Sequence, residues 1–222
     1  METLRDILDA AARGVFPPAD GRTTVVPQHS ARDAGVLAFT AHSVVFTDED
    51  PEWVYETLRG LDCDPLAAPL NPLFLTAFLA RTGRRAETID VMLVGAPLPG
   101  RPPVTLTEIE DAGHPRITYA RGRRDDVRAW TADGGVLVMG RGIGGRLEVS
   151  VEVDDGVRHR GLGRLLVGAA RHLVDEPLWA QVAPGNARST RAFQAAGYRP
   201  VGAEALLLSA RPRSAGCSDS RS

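Results

Sequence analysis

At 222 residues, 43% apolar and 24% charged, the chain is long enough for one generous domain or two small ones with a real core. A formal charge of −2 argues against nucleic acid or an anionic membrane as the main partner, and no apolar run approaches the roughly 18 residues that cross a bilayer. All 26 basic residues are arginine, which excludes P-loop, Schiff-base and kinase-type lysine chemistry. Cys63 and Cys217 are isolated, without metal-type spacing and without the look of a disulfide framework. The acidic, amphipathic start METLRDILDAAARG is unlike a signal peptide, so a cytoplasmic protein is the default expectation.

In chain order, Leu4, Ile7, Leu8 and Ala11 share one face at helical spacing over residues 2–13. GVLAFTAHSVVFT (35–47) is β-branched and aromatic and predicts one or two strands. Asp50 as N-cap with Pro51 behind it opens a helix through Leu58, and Asn71-Pro72 opens another by the same logic. TIDVMLVGAP (88–97) predicts a buried strand, and the prolines of GAPLPGRPP (95–103) a loop. ITYA (117–120) is strand-like and RRDDVRAW reads as a short helix. GVLVMG and RLEVSVEV predict strands, 161–174 a helix, PLWAQVA a strand, ARSTRAFQAAG a helix and ALLLSA a last strand. RPRSAGCSDSRS (211–222) has no core-building residues and reads as a disordered tail.

Two glycine clusters invite a phosphate reading. Gly140, Gly142 and Gly145 fit G-x-G-x-x-G, but a dinucleotide fingerprint must open a helix, and RLEVSVEV that follows alternates as a strand does. A hairpin loop is the better reading. RHRGLGRLLVGAARHL (158–173) has the missing context, because a strand precedes it and an amphipathic helix follows. Gly161 and Gly163 sit where unpaired helix-start amides point outward, with Arg158, Arg160 and Arg164 around them. A diphosphate cradle and a plain glycine turn with solvated arginines are both open on these residues alone.

Arg158, Gly161 and Gly163 fit Gln/Arg-x-x-Gly-x-Gly/Ala, with Val153 five residues ahead, while Asn186, Ser189, Gly197 and Tyr198 fit a second, downstream signature. With both motifs in order, the stretch of about 115–210 resembles the GCN5-related N-acetyltransferase (GNAT) superfamily. The resemblance implies acetyl-CoA, or another acyl-CoA, as donor, and no metal. It implies that Val151, Glu152 and Val153 run beside the pantetheine arm. The segment Arg158, His159, Arg160, Gly161, Leu162, Gly163 and Arg164 would hold the pyrophosphate, with Asn186, Ser189 and Phe193 near the thiol end. It further implies attack of an amine on the thioester, steadied by a backbone N–H of the 147–153 strand.

Two positions depart from the family pattern. Phe193 stands where a tyrosine often protonates the thiolate, and Gln181 where some members carry a glutamate base. The thiolate can leave unaided, since a free thiol has a pKa of about 8.5, but an aliphatic amine at about 10.4 must lose a proton. Glu148 and Glu152 share one face of RLEVSVEV with Ser150 between them, and with Ser189 they are the candidate catalytic groups. Such carboxylates need a wet or cleft-lining face, unless polar loops simply cover them. His114, His42 and Asp48 are further candidate bases.

The expected fold is α/β (α+β): a mixed, largely antiparallel central sheet flanked by helices. It comprises an N-terminal α/β region (1–112), which either forms the acceptor side of the cleft or is a packing extension without contact to substrate, and a GNAT-like acyl-CoA-binding core (113–210). In the alternative arrangement TIDVMLVGAP supplies a missing piece of that core and the halves are intertwined. The expected function is transfer of an acyl group to a small-molecule or peptide amine, against a non-catalytic CoA-binding module. Nucleic acid and membrane are not expected as partners, and a homodimer is open.

Overall fold

The computed structural model of the chain describes residues 2–110, 113–158 and 160–209. In chain order these form α1 (Leu4–Ala12), β1 (Thr23–Val26), β2 (Asp33–Phe39), β3 (His42–Phe46), α2 (Pro51–Arg59), α3 (Pro72–Thr82), β4 (Arg85–Gly95), β5 (Thr107–Ile109), α4 (Pro115–Arg121), β6 (Asp125–Ala132), β7 (Gly135–Arg141), β8 (Leu147–Val153), α5 (Leu162–Ala170), β9 (Leu178–Val182), α6 (Ala187–Ala195) and β10 (Arg199–Leu208). The strands make one mixed sheet in the order β1-β3-β2-β10-β4-β9-β8-β7-β6-β5. It is parallel at β1/β3 and β8/β9 and antiparallel at its other pairings, an α/β fold as expected. β4 lies between β9 and β10, so the sheet runs unbroken from residues of the first half into those of the second.

Helix starts follow the local chemistry. Thr3 and Asp6 close a capping box on α1, while Asp50 and Asn71 accept from the amides of Glu52 and Leu73 with proline just inside each helix. Alternate strand residues then serve opposite faces. On one face α1 packs Leu4, Leu8 and Ala11 on Leu37, Met92, Val94 and Trp179, and α4 packs Ile117 and Ala120 on Val136 and Val138. On the other face α2 and α3 cover Val36 and Leu207 with Val54 of α2 and with Phe74 and Phe78 of α3, and α5 and α6 cover Leu93, Leu137, Val149 and Leu178. Each fully buried side chain of this size contributes about 1.5–3 kcal/mol.

Two expectations are corrected. ITYA is not a strand: His114 accepts from the Arg116 amide at 3.2 Å, Pro115 takes the first helical position, and Ile117 and Ala120 bury one face of α4. RRDDVRAW is not a helix but the start of β6, which turns through Asp133-Gly134 into β7. Gly134 has φ +80°, as a tight hairpin requires. Val127 and Trp130, three apart, imitate helical spacing, but the extended backbone sends their neighbours Arg128 and Ala129 to opposite faces. Short strands β1 and β5 were not anticipated. The helix expected to 174 ends at Ala170, and β4 is buried only from Met92 onward, with 85–88 exposed. His159 and the tail 211–222 lie outside the described residues.

Candidate active site

Parallel β8 and β9 pair only at Leu147↔Leu178 and Glu148↔Trp179. Beyond that point they part, while β8 stays bonded to β7 as far as Val153. One backbone edge of residues 149–153 is therefore left without a strand. A cleft of about 470 Å³ opens there, lined among others by Val151, Glu152, Val153, Asn186, Ser189 and Phe193.

The start of α5 forms the other end of this cleft. Gly161 precedes the helix with φ +84°, and among the described residues no side chain caps it. The Leu165 amide reaches back to the Gly161 carbonyl at 3.1 Å, so the amides of Leu162, Gly163 and Arg164 precede the first helical hydrogen bond. All three residues line the cleft with Gly161. A Cβ at Gly161 would strain the left-handed backbone, although it would meet no atom within 4 Å. Arg164 lines the cleft, joined by Arg188 of α6, which sequence reading passed over because it belongs to the second motif's helix. Arg158 also lines it but donates to the Val153 carbonyl at 3.1 Å, fastening the loop to the end of β8. Arg160 is exposed and outside the lining.

The second motif has a local physical meaning. Asn186 caps α6 by accepting from the Ser189 amide at 3.1 Å. Gly197 takes φ +85° after the helix. The next residue, Tyr198, lays its ring edge-on to Phe193 at 5.0 Å and donates its hydroxyl to the Val167 carbonyl at 3.0 Å. The pattern docks α6 on α5 and so places Ser189 and Phe193 at the cleft.

A smaller cavity of about 220 Å³ shares Arg116, Val151, Asn186, Ser189 and Phe193 with the cleft and continues past Ser150 to Tyr119, Arg124 and Gln181. On this side the acidic face of β8 is met by arginines, one from the residue just before the strand and two from the segment around α4. Glu148 is buried between Arg146 at 2.9 Å and Arg124 at 2.8 Å. Burial alone would raise its carboxyl, but the two guanidinium groups outweigh burial and hold it below its ordinary value. Glu152 is partly exposed at the cleft and pairs with Arg116 at 3.0 Å. Arg124 also reaches the Ser150 hydroxyl at 3.3 Å and the Gln181 carbonyl oxygen at 3.5 Å. The Gln181 amide nitrogen is buried and unpartnered among the described residues.

Behind Glu148 lies a carboxyl that sequence reading did not single out. Glu204 on β10 is fully buried, receives Arg146 at 2.7 Å, and has its other oxygen unpartnered among the described residues. Its burial, against one arginine already shared with Glu148, pushes it up to about 7. The remaining candidates lie elsewhere. His114 caps α4, Asp48 is exposed, and His42 is bonded to Asp20 and Thr24 away from the cleft. Among the described residues no group of three or more His, Cys, Asp or Glu is placed to hold a metal ion. No helix among them is long and apolar enough to cross a membrane.

No family model and no curated protein sequence matches the chain. Among solved structures it is similar to a GCN5-related N-acetyltransferase from Kribbella flavida, at 20% identity and TM-score 0.41, over 62% of this chain and 64% of that one. It is also similar to a GCN5-related N-acetyltransferase from Sphaerobacter thermophilus, at 15% identity and TM-score 0.36, over 60% and 55%. A tandem GNAT protein from the clavulanic acid biosynthesis pathway matches at 17% identity and TM-score 0.37, over 60% and 57%. The match thus spans less than two thirds of each of these chains.

Proposed function

We propose that the chain is an N-acyltransferase that moves an acetyl or other acyl group from coenzyme A to a primary amine of a small molecule or peptide. The observation that carries this reading is the uncapped, glycine-led start of α5 facing a cleft whose other wall is a bare strand edge. Coenzyme A supplies a thioester whose carbonyl is open to nucleophilic attack. The amides of Leu162, Gly163 and Arg164, unpartnered among the described residues, suit its diphosphate, with the helix dipole and the Arg164 and Arg188 guanidinium groups adding charge. Amides on the open edge of β8 suit the amide groups of the pantetheine arm and, nearer Glu148, a developing oxyanion.

Of the candidate bases, Glu152 suits proton removal better than Glu148, whose carboxylate two arginines stabilise in its charged form. Ser189 lines both cavities with a hydroxyl that would suit a departing sulfur, a role that the Phe193 ring cannot fill. A second reading, a CoA-binding module without catalysis, draws support from the Gln181 amide and from the arginines that occupy Glu148.

Titration calorimetry with acetyl-CoA tests the carrying observation. Wild type should bind, and Gly161→Asp, which sets a carboxylate before the open amides, should not. Arg164→Ala should weaken binding by about 1.5–3 kcal/mol, the usual worth of a hydrogen bond to a charged group. Arg160→Ala should matter less, because that side chain is outside the cleft. A wild type that gives no heat, or variants that bind as it does, would end both readings. Thiol release over a panel of aminoglycosides, polyamines, amino acids and peptides then separates enzyme from binding module.

A further inference from the structure

A second cavity, of about 570 Å³, shares no lining residue with the cleft. Its floor is built by β1 and β3. Their parallel pairing sets Thr24 beside Val44, two residues along from His42, at the start of β3. The loop before β1 is fastened to the β2–β3 turn, where the Gly21 amide donates to the Ala41 carbonyl at 2.8 Å. Asp20 is thereby held against the His42 ring, its carboxylate also receiving the Arg22 amide at 3.0 Å.

The three side chains form a line. His42 Nδ1 lies 2.9 Å from an Asp20 oxygen, and Nε2 lies 2.9 Å from the Thr24 hydroxyl. The chemistry assigns the protons. An ionised carboxylate only accepts, so Nδ1 carries the hydrogen and, in the neutral ring, Nε2 is the acceptor to which Thr24 donates. The bond from His42 is the leading cause holding the Asp20 carboxyl below its ordinary value, consistent with the ionised form. The ring is 6% exposed, whereas Thr24 is only partly buried and reaches the cavity. This is a hydroxyl bonded to a base that is oriented by an acid, the arrangement that activates a nucleophile.

We propose that Thr24, His42 and Asp20 form a second catalytic centre, which cleaves esters of short carboxylic acids through an acyl-threonine. In the first step Thr24 Oγ bonds to the ester carbonyl carbon while its proton passes to His42 Nε2. The tetrahedral oxyanion collapses, the bond from carbon to the alcohol oxygen breaks, and the Nε2 proton leaves with the alcohol. Water then attacks the acyl-threonine, giving one proton to His42, which returns it to Thr24 Oγ as the carboxylic acid departs. Asp20 keeps the ring in the accepting tautomer throughout. Ile7, Val44 and Tyr55 give the cavity apolar wall for a short acyl chain, and the largely exposed Arg22, whose Nε lies 3.8 Å from Asp20, lines it as well.

The full chain should give a burst of nitrophenolate on mixing with para-nitrophenyl acetate, and peptide mass mapping should locate one acetyl group on Thr24. Thr24→Val preserves the shape and β-branching that suit a strand, and it should abolish both the burst and that modified peptide. Thr24→Ser should retain them. His42→Gln should slow acylation by about a hundredfold or more, the usual worth of a general base. An unmodified Thr24 peptide in the wild type overturns the proposal, as does a burst that survives in Thr24→Val. Acetyl-CoA binding by each variant reports that the fold is intact and is read independently of the ester assay.

Discussion

Glu204 and Glu148 illustrate how neighbours decide the state of a buried carboxyl. Both contact Arg146, whose guanidinium also lies over the Trp179 ring, but only Glu148 has a second arginine, Arg124. Two cations outweigh the desolvation of Glu148, whereas Glu204 has a share of one and faces the like charges of Glu148 and Asp90. The two sites are coupled, and the proton settles on the one with less compensation. With Glu204 raised to about 7, the folded chain holds a proton that the unfolded chain has lost between the ordinary carboxylate value and about 7. Stability should therefore fall as pH rises through that window, by on the order of 3 kcal/mol, and level off above it. Glu148 acts in the opposite sense and in a lower window, its contribution being lost as pH drops through its depressed value. Glu204→Gln should flatten the decline in urea-unfolding free energy between about pH 5 and 8 and leave the acid limb in place. A wild-type profile that does not fall across that range would mean that Glu204 is ionised in the fold.

At the scale of elements, α5 carries the cleft at one end and depends on a borrowed hydrogen bond at the other. The Arg171 amide turns to the Gly168 carbonyl at 3.2 Å instead of reaching Val167, four residues back, and the Tyr198 hydroxyl serves the Val167 carbonyl in its place. Tyr198→Phe keeps the ring contact with Phe193 but strips that buried carbonyl of its partner. The expected cost is about 1–3 kcal/mol in chemical denaturation, with no change in secondary structure by circular dichroism. The same residues show what a sequence exposes and what it hides. Gly161 was legible because a helix start leaves its amides open, whereas Asn186 and Tyr198 entered only through the resemblance, and the structure gives them capping and docking roles. The exchange of helix and strand over 115–132 was a failure of the same method. There the β-branched Ile117 and Thr118 outweighed the His114-Pro115 start signal, and the Asp133-Gly134 turn went unread. Of the two arginines that pair with Glu148, Arg146 stands two residues before it and went unread, whereas Arg124 was out of reach. Arg124 lies 24 residues away and meets it only because β6 and β7 bring the end of α4 across β8.

For the whole molecule the position of β4 matters most. Met92 and Val94 point toward α1 while Leu93 points into the α5 side, so one strand contributes to both cores where β9 and β10 would otherwise have no shared neighbour. The cleft depends on this too. β9 can part from β8 after Trp179 because its far side is held by β4 from Val91 to Gly95. Arg146 extends the tie by bonding Glu148 of β8 and Glu204 of β10 while touching the Met92 sulfur of β4 at 3.6 Å. A chain beginning at residue 113 would leave the facing edges of β9 and β10 bare and expose Trp179 and Val201, which α1, β2 and β4 otherwise cover. Such a fragment is expected to aggregate or to lack a cooperative transition, and the full chain is expected to unfold in one step. Thermal scans followed in parallel by tryptophan fluorescence and far-ultraviolet dichroism can decide, since Trp53 sits with α2 and α3, Trp130 on β6 and Trp179 on β9. Coincident curves would mark the halves as a single cooperative unit, whereas separate midpoints, or a soluble fragment that melts cooperatively, would mean that β4 is an accessory to a core able to stand without it.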